Sequence, residues 1–331
     1  MQLTLRSVVK GMATWLPYLS SLANSNTGGT ISARYCYSVW MRHLCTVTQT
    51  LGVFRPRCIA ELGPGDSLGI GLAAMLCGVD RYYALDRKAF ANSENNVPIF
   101  DELVALLRNR APIPDDVEFP GVFPKLNSYG FPITVLDDAW LDRCLATTRV
   151  ESIRRAVAGD MGSDEMIELR YFAPWDDSAA ILPESVDWIF SQAVLEHVDN
   201  VVAAYANLMK WLRPGGLMSH AIDYTCHGLT SDWNGHWTVG DGVWRIARGK
   251  RSYLINRLPH SAHIQMIRAC GFSIVKEIRV GGKALDRTTC APRFQYLSDD
   301  DLSTASAFII ALKPQMIDVL YGGESSVALM N

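Results

Sequence analysis

Short apolar runs alternate with stretches of helical periodicity between residues 57 and 223. Cys58–Leu62 is an apolar run typical of a strand covered on both faces, and Tyr82–Leu85 is a second one. Between them, apolar residues recur at helical spacing from Leu68 onward, and Gly78 predicts a C-cap. Because strands alternate with helices, we expect an α/β fold with a doubly wound, mostly parallel sheet.

The same pattern continues to the C-terminal part of the chain. Asp199 is expected to cap a helix that Pro214–Gly216 ends. Leu258–Gly271 is predicted as a further helix. The other predicted strands are Met166–Phe172, Val186–Phe190, Leu217–Ile222, Phe272–Val280 and Thr304–Leu312. Residues 314–331 are predicted to be a terminal appendage.

Residues 88–165 form an insertion after the second strand, where about 30 residues would normally reach the third. Helical patterns cover Val97–Arg110, Asp137–Leu145 and Val150–Ala158, and five prolines predict an extended loop over Ala111–Pro132. A helical insertion at this edge of a sheet can form a lid or substrate cap, or it can serve packing or dimer contacts. The sequence leaves these alternatives open.

The first 56 residues are predicted to be a helical arm. Residues 1–60 contain six of the 31 basic residues and none of the 34 acidic ones, which also allows a transit peptide. An apolar face runs from Tyr37 to Leu44, with Arg34 and Arg42 on another face. The arm either packs on the core domain, or covers a ligand site and offers these arginines to an anionic acceptor. The stretch Leu3–Leu22 can also lie on a membrane surface.

Composition excludes several classes of protein. With 331 residues, 49% of them hydrophobic, the chain can form one large domain, for which we predict residues 57–313, or two domains. A net charge of −3 without a dense basic run speaks against nucleic acid. Eight scattered cysteines fit reduced thiols in a cytoplasmic compartment, and no apolar stretch is long enough to span a membrane. The oligomeric state is not predicted.

The turn after the first strand carries the first chemical signal. Gly63 and Gly65 let a ligand approach the backbone, and Asp86 at the end of the second strand is placed to accept two ribose hydroxyls. The third glycine of a dinucleotide fingerprint comes too late, and Asp66 would repel a pyrophosphate. A cationic nucleoside suits Glu61 and Asp66 better.

A second motif makes the pattern specific. The turn E-x-G-x-G, the run D-x-I-x-S-x-x-V-L-E-H-V at Asp187–Val198 and L-x-P-G-G at Leu212–Gly216 resemble class I S-adenosylmethionine (SAM) methyltransferases. The likeness is to the type-11 branch, with quinone-biosynthesis and sugar methyltransferases. It implies a Rossmann-like seven-stranded fold with SAM as cofactor and a final antiparallel strand pair. It further implies the following cofactor contacts: Glu61, Gly63 and Gly65 at the methionine part, Asp86 at the ribose, Trp175 and Asp176 near the adenine, and Ser191 or Gln192 beneath the sulfonium.

Histidines and acids crowd into the segment after the fifth strand. His227 is the first candidate for a general base, Asp223 would orient it, and His197 and His236 are the next candidates. Each of these histidines can equally be a structural one. A zinc site from His220, Asp223, Cys226 and His227 lacks ordinary ligand spacing, so no metal is predicted.

The sequence thus predicts an enzyme, a SAM-dependent methyltransferase that acts on a small molecule or glycan, with a hydroxyl oxygen as the methyl acceptor. The basic arm and four aromatic residues, Tyr35, Tyr37, Trp233 and Trp237, suggest the glycan acceptor. Two rivals remain, a nicotinamide-dependent oxidoreductase and a catalytically silent protein with the SAM-binding fold.

Overall fold

A computed structural model describes residues 3–15, 29–160, 166–175, 181–251 and 254–315. Asp176, the appendage from residue 316 and the part of Leu3–Leu22 beyond Trp15 lie outside these ranges. The helices are α1 (Leu5–Ala13), α2 (Ala33–Leu51), α3 (Gly69–Leu76), α4 (Ser93–Arg108), α5 (Asp138–Cys144), α6 (Thr147–Val157), α7 (Val201–Trp211), α8 (Asp241–Arg248), α9 (His260–Ala269) and α10 (Asp299–Ser303).

One seven-stranded sheet organises the fold, with the order β3-β2-β1-β4-β5-β7-β6. The strands are β1 (Cys58–Leu62), β2 (Arg81–Leu85), β3 (Glu168–Phe172), β4 (Val186–Gln192), β5 (Leu212–Asp223), β6 (Ser273–Gly281) and β7 (Thr304–Leu312). Strand β7 runs antiparallel to β5 and β6, and the pairs among β1 to β5 are parallel. The predicted Rossmann-like α/β class is confirmed.

Each face of the sheet is covered by its own apolar core. One core joins Trp188 and Phe190 of β4 to α2, α3, α4 and α6. The other joins Ile189 of β4 to α7 and α9. The alternation of side chains along β4 therefore assigns successive residues to opposite cores. The carboxyl ends of β1, β2, β4 and β5 meet at one edge, where ligands bind in doubly wound sheets.

Some predicted boundaries were wrong. Strand β4 continues to Gln192, because Ser191 and Gln192 pair with β5 although they interrupt the apolar run. Asn200, not Asp199, caps α7, since its side chain accepts the Ala203 N–H. Helix α7 ends at Trp211, and Pro214–Gly216 lie within the irregular first part of β5.

Two arginines of the arm, Arg34 and Arg42, bind the insertion. Arg42 is fully buried and donates to Asp116 at 3.0 Å and to the carbonyls of Pro114, Val122 and Pro124. Arg34 forms a bidentate pair with Glu118 at 2.6 Å. The proposal that these two arginines meet an anionic acceptor is therefore wrong. The simpler alternative, a helix packed on the core, describes α2.

No helix in the described ranges combines the length and the apolar character that a bilayer crossing requires. Helix α1 lies against α8, which belongs to the segment that follows β5.

Candidate active site

The turn after β1 needs glycine for two physical reasons. Gly63 and Gly65 both have positive φ, +64° and +77°, which L side chains rarely adopt. A Cβ at Gly63 would lie 2.6 Å from a methyl group of Val194, just beyond β4. The Gly63 N–H donates to the carbonyl of Leu85 at 2.7 Å, which fixes the turn against the end of β2. Glycine is therefore required here by the backbone conformation of the turn and by its close packing against Val194.

Asp86 lies directly beside this turn. Its carboxylate accepts the Gly65 N–H at 3.3 Å and the Arg87 N–H at 2.6 Å. Burial raises the pKa of Asp86, while these backbone donors act in the opposite direction. The acid predicted for the ribose is thus held at the carboxyl end of β2 by the backbone of the glycine turn.

Glu61 is buried at the end of β1, so its predicted contact with the methionine part of SAM stays a prediction. Its side chain lies under α3, where the Tyr82 hydroxyl donates to Oε2 at 2.5 Å. Gly71 of α3 is required here, because a Cβ would overlap the Tyr82 ring. Burial raises the pKa of Glu61 to about 8, and the charge of Asp86 adds to the shift. The acid therefore supports the turn from below, within range of the charge on Asp86.

The arm reaches the same turn, a contact that was not predicted. The Thr30 hydroxyl accepts the N–H groups of Asp66 and Ser67 at 3.0 and 3.3 Å, and the Ser67 hydroxyl donates to the Thr30 carbonyl. The turn signal at residues 27–30 marked this segment, but nothing local shows what it would bind. The arm thus fixes the start of the segment that leads into α3.

Trp175 lies beyond β3, which is the neighbour of β2. The Asp86 N–H donates to the carbonyl of Phe172 at 2.9 Å, so the end of β3 is held beside the ribose candidate. Trp175 is half-buried and packs on the core that includes β4. This is a position from which an indole can cover a nucleoside base.

Ser191 and Gln192 are both engaged in side-chain hydrogen bonds. Ser191 is fully buried and its hydroxyl lies 2.7 Å from His220 Nδ1. Gln192 Oε1 lies 3.2 Å from Nε2 of His43 in α2. Burial lowers the pKa of His43 to about 4 and that of His220 to about 3. These side chains join β4 to β5 and to α2, so their predicted contact with the sulfonium stays a prediction.

The three predicted catalytic residues lie together. His227 Nε2 lies 3.4 Å from Asp223 Oδ2, and the rings of His227 and His197 are 5.1 Å apart in an edge-to-face arrangement. His227 has a φ of +50°, a strained conformation for a histidine and one that often marks a functional site. Its side chain is 36% exposed, so an acceptor can reach it.

Glu196 is a fourth member of this group, and sequence reasoning missed its role. It is 3% exposed, and neither carboxyl oxygen has a side-chain hydrogen-bond partner among the described residues, although the backbone N–H groups of Glu196 and Asp223 act to lower its pKa. Burial raises its pKa well above the usual value. One ligand atom each from Glu196, His197 and His227 lies within 4.8 Å of the others, so these three could hold a cation.

The remaining candidates are structural. His236 is 1% exposed, packs on Trp237 with ring centroids 4.6 Å apart, and has its pKa lowered to about 3 by burial. Tyr37 and Trp237 are fully buried, so these two do not line an acceptor pocket. Cys226 bonds to the Thr230 hydroxyl, and His220 points to Ser191, which separates the atoms of the zinc site considered above.

Residues 174–219 match the family model of the methyltransferase domain. The matched segment contains β4, α7 and the first part of β5, and the sheet has the seven strands and the final antiparallel pair that the resemblance implies. The match supports the resemblance to the class I SAM-dependent methyltransferases. SAM is accordingly the cofactor, and the predicted enzyme class is confirmed. No curated protein matches the chain significantly.

Several solved structures are distantly similar to this methyltransferase. One is the methyltransferase bound to the Trm112 activator of Haloferax volcanii, at 13% identity and a TM-score of 0.41, over 86% of this chain and 94% of that one. Another is phosphoethanolamine N-methyltransferase 2 of Haemonchus contortus, at 14% identity and a TM-score of 0.41, over 83% of this chain and 53% of that one. A third is a SAM-dependent methyltransferase of Mesorhizobium loti, at 13% identity and a TM-score of 0.39, over 81% of this chain and 96% of that one. Because these likenesses are distant, the family match and the strand order carry the assignment.

Proposed function

We propose that this enzyme methylates a hydroxyl oxygen of a small molecule or glycan, and that the Asp223–His227 pair takes the hydroxyl proton. The observation that carries this proposal is the 3.4 Å contact between His227 and Asp223 at the end of β5. A hydroxyl is a poor nucleophile, so its methylation benefits from a base that titrates near neutrality, as imidazole does.

The residues of the sheet edge fit SAM. When bound, SAM supplies a methyl group on a positively charged sulfur. The bare turn at Gly63 and Gly65 would hold its methionine part, Asp86 its ribose, and Trp175 with Asp176 its adenine. Support for this comes from the positive φ of Gly63 and Gly65, which shapes the turn, and from the carboxylate of Asp86 beside Gly65.

The chain's own contribution to the reaction is positioning and proton removal. Asp223 lies beside Nε2 of His227 and stabilises the imidazolium that forms when the acceptor loses its proton. Glu196 lies beside His197 and His227, and its carboxyl group has no side-chain hydrogen-bond partner in the described part of the chain. Orientation of two reactants in a partly dry site accounts for much of the rate of such a transfer.

The substrate is tested with methyl-labelled SAM and cell fractions divided into glycans, lipids and small molecules. We expect a labelled product whose methyl group is on oxygen. His227→Gln should lower kcat about 10²–10⁴-fold with unchanged affinity for SAM, because only the proton acceptor is lost. The control is Asp232→Asn, an exposed acid of the same segment, which should retain activity.

The outcomes separate the alternatives. Full turnover by the His227→Gln variant would refute the base while leaving the methyltransferase intact. Binding of S-adenosylhomocysteine without transfer to any fraction would favour the catalytically silent protein. A label on nitrogen or carbon would refute the hydroxyl acceptor.

A further inference from the structure

Helices α1 and α8 form a closely packed pair on the surface. A Cβ at Gly11 of α1 would overlap the carbonyl of Ala247, and one at Gly249 would overlap the carbonyl of Gly11. The backbones therefore approach as closely as two helices can. The Thr14 hydroxyl accepts the Lys250 N–H at 2.8 Å and closes the far end of the pair.

The pair presents a cluster of large apolar side chains to solvent. Trp244 and Ala247 of α8 face inward and are buried. The outward residues are exposed to about half of their surface: Val9 50%, Met12 48%, Trp15 55%, Val243 54% and Ile246 49%. Soluble proteins rarely leave such a cluster exposed unless it binds something. We call these five residues the α1–α8 patch.

Three cations surround the patch. Lys10, Arg245 and Lys250 are exposed and have no ion pair among the described residues. The Lys250 ammonium lies 5.4 Å from the centroid of the Trp15 ring. The one acid of α8, Asp241, is already paired with Arg257 and Arg293. The patch is therefore apolar at its centre and positive at its edge.

The charge decides between two occupants. In a symmetric dimer the same face meets itself, so the three cations would approach their own copies. An anionic bilayer surface offers the opposite charge together with an apolar interior for Trp15 and Ile246, the combination that amphipathic surface helices use. The arrangement of charge thus favours a lipid surface over a second copy of the chain.

The patch is connected to the segment that bears the base. The Thr4 N–H donates to the carbonyl of Leu229 at 2.9 Å, two residues after His227. Leu3 packs on a small core that includes Cys226, Leu229 and Trp244. This core thus joins the residue before α1 and the buried face of α8 to the segment that carries His227.

We propose that the α1–α8 patch docks this protein on an anionic membrane surface. Resting on the proposed function, the acceptor is then an amphiphile, a lipid or lipid-linked glycan, whose hydroxyl lies at the bilayer surface close to His227. The membrane would bring the enzyme and an apolar-tailed acceptor into the same layer.

The test is sedimentation of the full chain with vesicles of phosphatidylcholine, with and without phosphatidylglycerol, at low and high salt. We expect binding to the anionic vesicles and loss of it at high salt. The double variants Val9→Glu/Ile246→Glu and Lys10→Glu/Arg245→Glu should each weaken binding at least about tenfold. The controls are Val117→Glu, which changes an apolar residue that is 90% exposed on the insertion, and Lys276→Glu on β6.

Thermal unfolding and SAM affinity of every variant check that the fold is intact. Equal binding to neutral and anionic vesicles, or no binding at low salt, would overturn the proposal. So would a concentration-dependent dimer that Val9→Glu/Ile246→Glu abolishes. Since vesicle binding requires no methyl transfer, these results are independent of the base. A labelled product found only among water-soluble molecules would remove the amphiphilic acceptor.

Discussion

Two regions of the sheet edge differ in the hydrogen-bond partners of their buried acids. On the cofactor side, Glu61 accepts from Tyr82 and Asp86 accepts from Gly65 and Arg87. On the acceptor side, the carboxyl group of Glu196 has no side-chain hydrogen-bond partner among the described residues, and burial raises its pKa well above the usual value. Buried polar groups without partners are costly, so a protein retains them where a ligand completes the site. The comparison indicates a cofactor side formed in advance and an acceptor side completed by its substrate.

The strongest test of the cofactor side is Asp86→Asn. Loss of the charged acceptor for two ribose hydroxyls should weaken SAM binding about 100-fold, since hydrogen bonds to charged groups contribute about 1.5–3 kcal/mol each. Titration calorimetry measures the effect. Asp80 at the other end of β2 has nearly the same exposure, 8% against 7%, so Asp80→Asn is the matched control. If both variants bind SAM as the wild type does, the ribose assignment is wrong.

Glu61 predicts a pH dependence of stability. Its pKa is raised from 4.5 to about 8 in the folded protein, so the folded state holds a proton that the unfolded state releases. The free energy of unfolding should therefore fall by a few kcal/mol as pH rises from about 4.5 to 8. Glu61→Gln keeps an acceptor for Tyr82 and should remove this part of the dependence.

Urea unfolding of the SAM-free wild type and of Glu61→Gln across this pH range measures the free energy of unfolding of each. Equal slopes for the wild type and Glu61→Gln would show that Glu61 is ionised in the fold. That result would also set Glu61 apart from Glu196, since burial raises the pKa of Glu196 well above its usual value and so favours the neutral form.

Thr30→Val tests whether the arm helps to form the cofactor side in advance. The change leaves the N–H groups of Asp66 and Ser67 without their acceptor, so we expect a loss of about 1–2 kcal/mol in stability and severalfold weaker SAM binding. Thr48→Val is the control, because the Thr48 hydroxyl is buried in the same arm and has no hydrogen-bond partner in the described ranges. Similar effects of both variants on SAM would contradict a specific role for Thr30.

The smallest expected effect is that of metal removal. If His227 takes a proton, it is not a metal ligand, so extensive treatment with a chelator should leave kcat unchanged. Activity that disappears with the chelator and returns with a divalent cation would instead assign Glu196, His197 and His227 to a metal. The acceptor side would then be completed by an ion before any substrate binds.

Local pattern predicted most of the fold. The limits of β7, Thr304–Leu312, were predicted as the structure has them, because a long apolar run between polar turns defines a buried strand. The end of β4 was not predicted, since Ser191 and Gln192 look like loop residues until their partners on β5 and α2 are known. Arg42 was misjudged for the same reason, because its partners lie more than 70 residues along the chain.

For the candidate site, too, local patterns were predictable and contacts with distant residues were not. The positions of Asp86, Asp223 and His227 at strand ends follow from the strand pattern, because the carboxyl ends of parallel strands share an edge. The alternation of side chains along β5 could have distinguished the two histidines. His220 lies on the same face of the strand as Met218 and Ile222 and therefore faces a core, whereas His227 lies beyond the strand. Nothing in the local sequence shows that Glu196 would be buried without a partner.

The buried guanidinium of Arg42 has a consequence for exchanging parts between such enzymes. Its Nε donates to Ser38 of the same helix, and its other donors bond to one short stretch of the insertion, from Pro114 to Tyr129. An arm transplanted without that stretch would carry a cation into an apolar interior with most of its acceptors missing. Arm and insertion would therefore have to be exchanged together.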